Sequence, residues 1–90
     1  MDDLIADLRA ELEDAGRRGA REVILRLEGD LVHRWYAAVA TDGLAVIAAL
    51  QATVNDVACT ARDLRHVIVR VPYARPGGDL CIDLVAAAGG

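Results

Sequence analysis

Four side chains in this chain of 90 residues could bind a transition metal or attack a substrate: His33, Cys59, His66 and Cys81. Structural zinc takes four such ligands in tetrahedral geometry, and its sites usually supply them as closely spaced pairs. None of these four lies close to another along the chain. Nucleophilic catalysis needs a thiol and a base within hydrogen-bond reach, and no motif joins Cys59 or Cys81 to His33 or His66. The spacing therefore predicts no metal, no cofactor and no catalytic residue, with both thiols acting as small buried hydrophobes. The carboxylates Asp79 and Asp83, like Asp56 and Asp63, read as solvated surface. Gly77-Gly78 lacks the following Lys and Ser/Thr of a phosphate-binding loop. A small enzyme using His33 or His66 with a Cys or an Asp is the remaining catalytic alternative.

Binding chemistry is the better-supported expectation. Trp35 and Tyr36 are adjacent, so on a strand one would enter the core and the other would face outward. Alternation puts Trp35 with the apolar set and Tyr36 beside Arg34, with Arg26, Arg70 and Asp83 within reach. Tyr and Arg are favoured at protein interfaces. Arg34, Tyr36, Val46 and Arg70 are accordingly the expected interface residues.

The elements that must carry these side chains follow from periodicity. Asp2 or Asp3 can cap a first helix with Leu4, Ile5, Leu8, Leu12 and Ala15 on one face, ended by Gly16 and Gly19. Arg21 to Glu28 alternates as a half-buried strand. Gly29-Asp30 then signals a hairpin turn into a returning strand with Leu31, His33, Trp35, Ala37 and Val39 on one side.

Residues 41 to 65 carry two competing patterns. Leu44, Ile47, Leu50, Val54, Val57, Ala61 and Leu64 form a helical stripe that Thr41 or Asp42 can cap, whereas Leu44, Val46, Ala48 and Leu50 also fit a short strand. The longer stripe favours a helix over residues 44 to 64. His66 to Pro72 and Leu80 to Val85 follow as strands across a turn at residues 73 to 79, and the tail is expected to fray. The result is an α+β fold, with helix, hairpin, helix and hairpin placing both helices on one face of an antiparallel sheet.

Ninety residues make one domain, 1–90. The 17 alanines and the absence of Phe leave a thin core, so self-association, most simply a homodimer, is expected. A net charge of −4 argues against nucleic acid, whose binders need a basic face. Arg17, Arg18 and Arg21 read as a solvated helix end. No signal peptide is evident, and no apolar run reaches the roughly 18 residues needed to span a bilayer, which predicts a cytoplasmic protein without membrane partners.

The spacing of Leu8, Arg9, Glu11, Leu12, Ala15 and Gly19, followed by REVILRLEG, resembles the trypsin-co-occurring domain of the second type. LRHVIVRVPYARPGGD is similar to that family's later strand and Gly-Gly loop. The resemblance covers residues 4 to 40 and 64 to 79. It implies a non-catalytic accessory role beside a trypsin-like peptidase in bacterial conflict systems, and a strand in the first half of residues 44 to 64. AAVATDGLAVIAAL is less extensively similar to Roadblock-type dimerisation domains. Both resemblances imply a module that binds a protein partner, and a small acidic phage-type inhibitor that occludes its partner is the alternative.

Overall fold

The computed structural model describes residues 2–72 and 78–87. Helix α1 (Asp2–Arg17) is followed by strand β1 (Glu22–Arg26), helix α2 (Asp30–Thr60) and strands β2 (His66–Pro72) and β3 (Asp79–Val85). The α+β class expected from the sequence is the one observed.

α1 forms where its stripe lies. Leu4, Leu8, Leu12 and Ala15 are buried one or two turns apart, with Ile5 packed beside them. Its end is set by Gly19 at φ 76°, which lets the Ala20 N–H reach the Ala15 carbonyl (3.2 Å) and the Gly19 N–H reach that of Gly16 (3.0 Å). This pair of bonds is a Schellman motif, and its left-handed residue favours glycine.

The first hairpin is not present. Gly29 adopts φ 56°, ψ −127° and begins a helix, and residues 31 to 39 are helical instead of a returning strand. Leu31, Val32, Trp35, Ala38 and Val39 also fit a helical face, and all five pack into or against the core. The partner of β1 is β2, in parallel register with Val23 opposite Val67 and Leu25 opposite Val69. Parallel neighbours need a crossover of a dozen or more residues, which a hairpin cannot supply and α2 does. The sheet is thus three-stranded and mixed, in the order β1-β2-β3, with β3 antiparallel to β2.

α2 is two helical runs joined at Asp42, whose φ of −160° and ψ of 92° are not helical. Thr41 Oγ1 donates to the Ala37 carbonyl at 3.1 Å, and the Asp42 carboxylate accepts from the Ala45 N–H at 3.1 Å. The helix expected over residues 44 to 64 is therefore present, with the foreseen cap, and ends at Thr60. The strand that the first resemblance implies here is absent.

Most of the expected stripe is buried or packed against the core, namely Leu50, Val54, Val57 and Leu64 with Ile47 and Ala61, and the differences lie at its start. Val46, Leu50, Thr53, Val54 and Val57 are buried, while Leu44 is 86% exposed. Val46 lies one turn before Leu50 and so shares its buried face, whereas Leu44 falls off that face. Buried Thr53 satisfies its hydroxyl by donating to the Ala49 carbonyl at 2.8 Å.

Both helices cover one face of the sheet. Val23, Leu25 and Leu27 with Val67, Val69, Val71 and Leu84 meet Leu4, Leu8, Leu12, Trp35, Leu50 and Val54 in a single core. The Arg34 guanidinium donates to Asp7 at 2.7 Å, and Arg9 pairs with Asp56, tying α1 to both runs of α2. Gln51 Nε2 donates to the Val85 carbonyl at 2.9 Å, and Asn55 Oδ1 accepts from the Ala87 N–H at 3.0 Å. Ala86 is buried, so the chain remains anchored to that point where fraying was expected. The turn at residues 73–77 and the last residues, 88–90, lie outside the described residues.

Candidate interaction surface

The alternation of the strands decides which side chains share the uncovered face. On β1 they are Glu22, Ile24 and Arg26. The pairing aligns Glu22 with His66 and Val85, Ile24 with Ile68 and Asp83, and Arg26 with Arg70 and Cys81. Ile24 is 53% exposed and Val85 68% exposed, so these apolar groups face solvent. His66 and Ile68 of β2 lie between Ile24 and Val85, Asp83 shares the row of Ile24, and Arg26 and Arg70 form the next row with Asp79 beside Arg70.

His66 lies between two carboxylates on this face. Its Nδ1 is 3.3 Å from Glu22 and its Nε2 is 3.6 Å from Asp83. The two acids contact opposite ring nitrogens, so the three residues cannot close on one ion as arranged. Among the described residues no group of three His, Cys, Asp or Glu side chains has metal-binding geometry.

The other soft residues are dispersed. His33 and Cys59 are exposed on separate runs of α2, and Cys81 is exposed on β3. Both cysteines are free thiols, which corrects the expectation that they are buried. Cys59 Sγ lies 3.3 Å from the Asn55 carbonyl, and strand alternation sends Cys81 to the uncovered face. A groove of about 400 Å³ runs between α1 and β1, lined in part by Glu11, Asp14, Arg18 and Ile24. A second, of about 150 Å³, lies between the ends of α1 and α2 beside Gly16 and Ala61. Neither is lined by His or Cys.

The four expected interface residues separate. Arg70 lies on the uncovered face, where its Nε is 3.6 Å from Asp79. Tyr36 is 38% exposed on α2, and its hydroxyl donates to the Pro72 carbonyl at 2.8 Å. Arg34 is bound to Asp7 and also lies 3.0 Å from Asp30. Its hydrogen bond to Asp7 raises the guanidinium pKa above its ordinary value, outweighing the desolvation that would lower it, with the charges of Asp7, Asp30 and Asp3 adding to the rise. Val46 is fully buried, which removes it from any surface. It is core because it lies one turn before buried Leu50 on the same helical face. Strand alternation already sets Ile24 with Glu22, Arg26 and Glu28, opposite Val23, Leu25 and Leu27, but Ile24 is not among the expected interface residues.

α2 is long and apolar enough to cross a bilayer by length and composition, contrary to the expectation from the sequence. Its buried positions Trp35, Val46, Leu50, Val54 and Val57 line the core. Compared with known proteins, the chain matches no family model, no curated protein and no solved structure.

Proposed function

We propose that this chain is a non-enzymatic protein-interaction module that works as a homodimer in the cytoplasm. The observation that carries this reading is the sheet covered by helices on one face only, with Ile24 and Val85 presented to solvent on the other. Apolar side chains exposed among charged ones on an open sheet face suit a protein interaction site. The thin core of a small, alanine-rich chain adds a thermodynamic reason to associate, since partner binding stabilises the fold by mass action. Free thiols suit a reducing compartment.

A narrower role, as an accessory to a trypsin-like peptidase in a bacterial conflict system, rests on the resemblance of α1, β1 and β2 to the trypsin-co-occurring domain, whose strand in the first half of residues 44 to 64 this fold replaces with helix. Sedimentation equilibrium between about 1 and 100 μM tests the self-association, because ordinary dimers dissociate measurably in that range. A mass approaching two chains is expected, and a monomer mass throughout overturns the homodimer.

A further inference from the structure

We infer that the dimer forms by antiparallel pairing of β1 with β1 of a second copy, about a two-fold axis at Ile24. This rests on the self-association proposed above and specifies the surface responsible. β1 is an outer strand of the sheet, and among the described residues nothing pairs with its outer edge.

Backbone parity identifies the groups on that edge. The Arg21 carbonyl accepts from the His66 N–H, and the Leu27 N–H donates to the Arg70 carbonyl, so odd-numbered residues of this segment face β2. The N–H and C=O groups of Glu22, Ile24 and Arg26 therefore point outward. In an antiparallel ladder, residues that exchange both backbone bonds must point at each other. A two-fold axis at Ile24 meets that condition at every position: Ile24 opposes its own copy, and Glu22 opposes Arg26 in both directions.

The side chains agree with the backbone. The axis brings two isoleucines together at the centre and sets an acid against a base on either side, the combination favoured in cross-strand pairs. Glu22 is 3.3 Å from His66 within its own chain, so the partner's arginine would approach a carboxylate already held in position. The groove between α1 and β1 leaves space beside the edge for an incoming strand.

The opposite edge lacks this complementarity. The Ala86 N–H donates to the Arg65 carbonyl, so the even-numbered residues of β3 face β2 and Asp79, Cys81, Asp83 and Val85 face outward. A two-fold axis at Cys81 would oppose Asp79 to Asp83, and one at Asp83 would oppose that acid to itself. The Val85 carbonyl at this edge is already taken by Gln51.

Charge reversal with sedimentation equilibrium tests the register. Glu22→Arg alone and Arg26→Glu alone each turn two attractive pairs into two repulsive ones and should weaken the dimer about tenfold or more. The double variant E22R/R26E restores both pairs and should recover most of the parent affinity. Amide exchange in the unaltered protein gives an independent readout, with protection of the Glu22, Ile24 and Arg26 N–H groups rising as the dimer forms. A dimer insensitive to both single reversals, a double variant no better than either, or fast exchange of these amides in the dimer would overturn the β1 pairing while leaving self-association intact. Growth beyond a dimer would point to open-ended β1-to-β3 pairing and overturn the two-fold arrangement. A parent that stays monomeric would defeat the homodimer itself.

Discussion

The Asp42 carboxylate accepts a hydrogen bond from the Ala45 N–H at 3.1 Å, so a residue inside α2 caps its second half. This contact marks where the second run starts. Asp42→Ala should cost about 1 kcal/mol, the usual loss for a removed N-cap side chain. Urea unfolding at neutral pH checks this through a lower midpoint at unchanged slope. Stability equal to the parent would show that the cap contributes nothing to the kinked helix.

Gly16 is the close point between α1 and α2. A Cβ built there would lie 2.6 Å from the Cβ of Ala61, too close for two atoms fixed to their backbones. Gly16→Ala gains about 1 kcal/mol of helix propensity, but overpacking costs about 1–3 kcal/mol. A net loss on the order of 1 kcal/mol is expected. Adding Ala61→Gly should recover part of it, and a double-mutant cycle by urea unfolding measures the coupling. Additive effects would argue against this close approach.

Cys59 and Cys81 are exposed and free, so both should react with a thiol reagent without unfolding. Titration of the native protein is expected to give two equivalents per chain, and Cys59→Ser or Cys81→Ser should each remove one. Native mass spectrometry of protein purified without chelator should show the mass of the chain alone. A stoichiometric zinc lost in either Ser variant would contradict the dispersed arrangement of the four soft ligands.

Local signals determined much of this fold. The spacing of Leu4, Leu8, Leu12 and Ala15 specified α1, and Gly19 supplied the left-handed residue that stops it. Asp42 was legible as a cap, and Val67, Val69 and Val71 marked the inward face of β2. Each of these features depends on neighbours within a few residues, which is the range over which sequence periodicity acts. Residues 31 to 39 satisfied two periods at once, with Trp35 apolar in both, so local pattern could not choose between strand and helix. Tertiary structure made that choice, because β1 pairs in parallel with β2 and the chain must cross over between them. The same pairing left the edge of β1 open, and packing against the sheet took Val46 inward and left Leu44 outward. Which strand becomes an edge depends on partners distant in sequence, and the spacing of residues along one strand does not contain that information.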